Sequence, residues 1–76
     1  MMIKTSELIG KVPDRLHVHT SNGGWAIWKE GAKRAIRRFP RRPQAIRFAR
    51  GQLQARGGEL IVHDKAGLVE FKRTFV

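Results

Sequence analysis

Residues 43–56 carry the chain's one long stretch of helical periodicity, and that stretch is fenced at both ends. Pro43 suits the first turn of a helix, where its missing N–H costs nothing. Gly57-Gly58 is a strong C-terminal stop. At 100° per residue, Ala45, Ile46, Phe48, Ala49 and Leu53 gather on one broad side, with Arg47, Arg50 and Gln54 opposite. Gly51 interrupts this pattern and lowers helix propensity, and the expected reason for it is close approach of the helix to the sheet. One helix with one apolar side has to bury it against another layer. The chain has 76 residues and no cysteine, so neither a disulfide nor a thiolate zinc site can staple the fold. Packing must do so, and most of the remaining chain reads as strands.

The strands show themselves by period-two alternation. In Arg15–Thr20, Leu16 and Val18 fall on one side, His17 and His19 on the other. Ser21-Asn22-Gly23-Gly24 supplies residues that tolerate positive φ, so a tight reversal follows. Trp25–Glu30 is the returning strand of a hairpin, and Gly31 marks a further turn. Arg34–Phe39 is expected as a third strand, ended by Pro40. After the helix, Glu59–Asp64 is rich in β-branched residues. Lys65-Ala66-Gly67 turns the chain into a fifth strand over Leu68–Lys72. The expected fold is therefore a two-layer α+β domain of order β-β-β-α-β-β, an antiparallel-rich sheet with one main helix on one face. Residues 1–14 read as an N-terminal extension, with a helical turn over 5–9 ended by Gly10, and residues 15–76 as a single domain.

A domain this small buries only about 60 % of the surface its unfolded chain exposes. It has room for one thin core and none for a deep cofactor pocket. Lys and Arg number 16 against 6 Asp and Glu, a net charge of +10. Such an excess attracts polyanions, of which nucleic acid is the commonest in a cell. Charged residues interrupt the N-terminus before a secretory apolar region can form. The longest apolar run, Trp25-Ala26-Ile27-Trp28, is too short to cross a bilayer. The expectation is a cytoplasmic protein that does not enter membranes.

Several segments resemble one bacterial family. They are His17-Val18-His19 through Gly24-Trp25-Ala26-Ile27, Ala45-Ile46 in the helix, Gly58-Glu59-Leu60-Ile61-Val62-His63 after it, and Gly67 with Lys72. The family is catalogued as a domain of unknown function, number 2188, and the likeness runs from about Leu16 to Phe75. The resemblance implies a small α+β domain of bacteria and their mobile elements, with no catalytic residues to carry over. It also implies a good N-cap and an acidic first helical turn, where this chain has Pro40, Arg41, Arg42, Pro43 and Gln44. Trp28 and Phe71 stand where charged side chains are usual in the family, and Phe75 where Tyr is usual.

Two constellations bear on function. If Leu16, Val18, Trp25, Ile27, Phe39, Leu60, Val62 and Val69 face the helix, then His17, His19, Trp28, Arg34, Ile36, Arg38, Ile61 and His63 share the opposite face. Aromatic and basic groups interleaved on an open sheet suit single-stranded nucleic acid. Burial of that face by the extension or by a second chain explains the same residues. The second constellation is the arginine run. Lys33, Arg34, Arg37, Arg38, Arg41 and Arg42 lead into the helix, and Arg47 and Arg50 continue along its solvent side. Basic residues at a helix N-terminus oppose its dipole unless an anion compensates. That placement points to phosphate.

Other chemistries find little support. His17, His19 and His63 lack the carboxylate or thiolate company of a usual metal site, so no metal is expected. Asp64 and His63 adjoin, but strand neighbours point to opposite faces. No nucleophile or glycine-rich phosphate loop is spaced for catalysis. The reading is a non-enzymatic protein without cofactor or small-molecule substrate. It binds DNA or RNA by phosphate contacts from Arg34, Arg37, Arg38, Arg41, Arg42, Arg47 and Arg50, with Trp28 as a stacking platform. The alternative is an interaction module that dimerises or docks through the open sheet face.

Overall fold

A computed structural model gives the structure of the chain, and it describes residues 14–75. The elements run β1 (Asp14–Ser21), β2 (Gly24–Lys29), β3 (Arg37–Phe39), α1 (Arg42–Arg56), β4 (Gly58–His63) and β5 (Val69–Phe75). They build a five-stranded sheet of order β3-β2-β1-β4-β5. Neighbours are antiparallel except β1 and β4, which pair in parallel. The α+β class and the element order are those expected. The extension read over residues 1–14 lies outside the described residues, save Asp14, which opens β1.

The hairpin turn is set by Asn22 and Gly23, both at positive φ (50° and 81°). Two such residues in a row are what a two-residue reversal matched to strand twist requires. Register pairs Val18 with Ile27 and Thr20 with Trp25. Leu16 pairs with Leu60 and Val18 with Val62. Together these put one apolar row under the helix. Ala45, Ala49 and Leu53 of α1 close on Leu16, Val18, Ile27, Leu60 and Val62 as a single core, flanked by Trp25, Phe39, Ile46, Phe48 and Phe75. Burying one such aliphatic side chain is worth about 1.5–3 kcal/mol, and with so short a core list each matters.

Two expectations need correction. β3 spans three residues, not Arg34–Phe39. Ile36 still donates its N–H to the Ile27 carbonyl at 2.7 Å, but Arg34 and Ile36 lie in the loop before the strand. They are not part of its alternating faces. Val69 pairs with His63, because a register shift at Val62/His63 inserts Glu70 as an extra residue opposite them. A bulge reverses alternation beyond it, so Val69 leaves the helix side and Phe71, opposite Val62, takes it.

Candidate nucleic-acid interface

The two ends of the sheet differ in charge. At the end where β1 and β4 begin and β2 finishes, Arg15 pairs with Glu30 (3.1 Å) and Glu59 (3.5 Å). Asp14 there takes Lys29 (3.5 Å) and Arg56 (3.7 Å). Glu70 at the other end pairs with Arg42. Asp64 accepts the backbone N–H of Ala66 (2.9 Å) and Leu68 (3.0 Å) and so shapes the β4–β5 turn. Every carboxylate side chain among the described residues is thus engaged. Arg34, Arg37, Arg38, Arg41, Arg47 and Arg50 form no ion pair among the described residues.

Local structure places these arginines around the first half of α1 and the β3 edge. Phe39 pairs with Trp25, beside the β1–β2 turn, so the chain enters α1 at that end of the sheet. Arg41 is the N-cap residue in an extended conformation, and it has no acceptor to offer the helix N–H groups. Gln44 supplies only half of a capping box by accepting the Arg41 N–H at 3.1 Å. The first turn carries no acidic residue of its own, and the carboxylate that reaches it, Glu70 of β5, is taken up by Arg42. Arg37 and Arg38 point to opposite faces of β3. The Arg37 guanidinium lies over Phe48 (5.2 Å to the ring centre) and Phe39 (5.6 Å) on the helix side. Arg38 donates to the Ser21 hydroxyl on the other side.

Arg42, Arg47 and Arg50 come together. With Pro43, Ile46, Gly51 and Gln54 they line an open groove of about 550 Å³ along the exposed flank of α1. Arg42 is the inner wall, held over the Trp25 ring at 5.5 Å and tied to Glu70. The sequence-derived set is therefore divided. Arg42, Arg47 and Arg50 share one groove, Arg41 occupies the N-cap position without capping, Arg37 and Arg38 flank the β3 edge, and Arg34 stands apart in the preceding loop. The groove's small and polar members, Gly51 and Gln54, were not singled out by charge. The one signal for Gly51 was its presence inside a helix. The Glu70 partner of Arg42 is 28 positions away in sequence and has no local signature.

The opposite face of the sheet is an imidazole and indole cluster. His19 stacks on Trp28, with ring centres 5.8 Å apart and planes 14° from parallel. Trp28 is half-buried and its Nε1 is buried without a hydrogen-bond partner among the described residues. Its ring is thus already stacked. Ala26 and Ile61 on this face are buried, Ile61 to 3 % exposure. Beside them, His17 Nε2 meets Glu30 Oε1 at 2.9 Å, His17 Nδ1 meets His63 Nε2 at 2.9 Å, and His63 Nδ1 meets the Gly67 carbonyl at 3.1 Å. The two outer partners only accept, so both outer ring nitrogens must donate. All three contacts are hydrogen bonds only when the two rings hold three protons, that is, one shared positive charge. The Glu30 carboxyl is held below its ordinary range, first by His17 and then by Arg15. Among the described residues, no three His, Asp or Glu side chains converge as metal ligands, and no helix is long and apolar enough to cross a membrane.

Fold and surface together define a small two-layer α+β domain with arginines that form no ion pair among the described residues along the first half of its helix and the β3 edge. The family described as "Uncharacterized protein conserved in bacteria (DUF2188)" matches residues 16–75, and the chain belongs to it. No curated protein and no solved structure matches the chain.

Proposed function

We propose that this domain binds nucleic acid through its phosphate backbone, without catalysis and with little reading of base sequence. The observation that carries the reading is the imbalance around α1. Unpaired arginines lie along the first half of α1 and the β3 edge, beside a helix N-terminus that has no acid in its first turn, while the described carboxylates are already engaged, Glu70 by Arg42 at that end. Phosphate supplies what the chain does not, a diffuse negative charge that guanidinium groups bind in fork geometry. Arg41, Arg47 and Arg50 are the principal contacts. Arg37 and Arg38 extend the surface along β3.

The test is a salt titration of binding to labelled oligonucleotides. Affinity should fall linearly on a log–log plot, with a slope of about 0.9 per phosphate neutralised on duplex. Arg47→Glu with Arg50→Glu should abolish binding at about 50 mM salt. Arg15→Gln, at the opposite end, should leave it within about twofold. Absence of binding by the unaltered protein at that salt removes the proposal.

One observation favours a second reading, a docking or dimerising module. β5 is an edge strand with Leu68 (68 %), Val69 (50 %) and Phe71 (41 %) exposed on or beside it. Edge strands with apolar side chains recruit further strands. Sedimentation at micromolar concentration separates the two readings, since Phe71→Lys should disperse such an assembly and leave a polyanion complex intact.

A further inference from the structure

Gly51 is unexplained by the fold that contains it. It lies inside α1, where glycine weakens a helix relative to alanine. A glycine in such a place is ordinarily required by positive φ or by another element pressing close. Neither applies, for Gly51 is not among the residues at positive φ, and a Cβ built there meets nothing within 4 Å. Gly58 shows the contrast. A Cβ on it would stand 2.7 Å from Leu53 Cδ2 and would also strike the Asp14 carbonyl.

Gly51 instead lines the groove with Arg42, Arg47 and Arg50 and leaves that stretch of helix without a side chain. Arg47 lies one turn before it on the same helix face, and Gln54 nearly one turn after. Guanidinium groups rise beside a bare stretch of helix, which lets a polyanion approach the backbone more closely than any side chain would allow. We infer that this groove, floored by Gly51, seats the sugar-phosphate backbone of a nucleic-acid duplex. The inference rests on the proposed function and deepens it by naming the site and the form of nucleic acid.

The lining selects duplex over single strand. It contains no aromatic ring, so bases have nothing to stack on, and stacking is what single strands chiefly offer. The Trp28 ring belongs to the other face of the sheet and already stacks on His19. What remains is charge and hydrogen bonding, and a duplex presents about twice the phosphate density of one strand along its axis.

The experiment uses Gly51→Ala and Gly51→Met, neither of which alters net charge. Thermal melts should show both variants at least as stable as the parent protein. Binding to a blunt DNA duplex at about 50 mM salt should weaken slightly for Gly51→Ala and roughly tenfold for Gly51→Met, with a smaller salt slope. Parent binding to one of the separated strands should be weaker than to the duplex. If the parent binds and Gly51→Met binds equally well, the groove is not the site, and the proposed function survives without it. If single strand binds as tightly as duplex, or polyglutamate competes equally, the duplex assignment is wrong. If the parent binds no nucleic acid, the proposed function itself falls.

Discussion

Glu30 ties together two basic groups from neighbouring positions in β1, Arg15 and His17, and through His17 reaches His63 on β4. Its carboxyl is held below the ordinary carboxylate range. A group whose folded value is depressed stabilises the fold above its unfolded value, and the effect is lost as pH falls through the folded value. Glu30→Gln should therefore lower the melting temperature at neutral pH. The gap should close as acid protonates the parent's carboxyl, below the ordinary carboxylate range. Glu30 is exposed at the surface, so the effect should be small. Melts of both proteins across that range provide the check, and a gap that persists in acid would assign the loss to geometry instead of charge. The same contacts already occupy the ring nitrogens of His17 and His63, which are directed at each other, at Glu30 and at Gly67.

Among the elements, the junction of α1 with β4 is the least tolerant. Gly57 donates to the Leu53 carbonyl at 2.6 Å, and Gly58, at φ 145°, starts β4 against Asp14. Gly58→Ala meets both backbone strain and a clash with Leu53 and Asp14. It should cost about 2–4 kcal/mol, measurable by urea denaturation, whereas Gly51→Ala should add up to about 1 kcal/mol. The helix and the hairpin were legible in sequence because local features define them: one apolar side between Pro43 and Gly57-Gly58, and an Asn-Gly turn between alternating runs. What was not legible depends on partners distant in the chain. The parallel pairing of β1 with β4 sets Val18 beside Val62, and only that register brings His17 within reach of His63. The bulge that turns Val69 away from the helix is a property of the β4–β5 pair. β3 is short because a single backbone bond, from Ile36 to Ile27, is all that extends it toward Arg34. Alternation likewise placed Trp28 on the face away from α1 but could not reveal that His19 already covers its ring.

For the molecule as a whole, the candidate site was legible as charge and only partly as geometry. The arginines were countable, but their division among groove, helix cap and strand edge required the fold. The net charge of +10 leaves two opposed electrostatic terms, and they respond differently to salt. The ion pairs of Asp14, Glu30, Glu59 and Glu70 are short-ranged and largely exposed. Such exposed pairs contribute little each. Repulsion among the unpaired guanidiniums acts over longer distances, with a Debye length of about 30 Å at 0.01 M salt and about 8 Å at 0.15 M. Raising sodium chloride across that range should screen the repulsion more than the pairs, so the melting temperature should rise. A relief of about 1 kcal/mol corresponds to about 4–8 °C in a domain of this size. Arg47→Gln with Arg50→Gln should reproduce much of that rise at low salt and flatten the response to added salt, because it removes two of the charges that repel. Circular-dichroism melts of both proteins over the salt series measure this directly. A melting temperature that falls with salt would mean the ion pairs at the β1 end outweigh the crowding of cations around α1, and the arginine surface would then carry no stored repulsion for a polyanion to relieve.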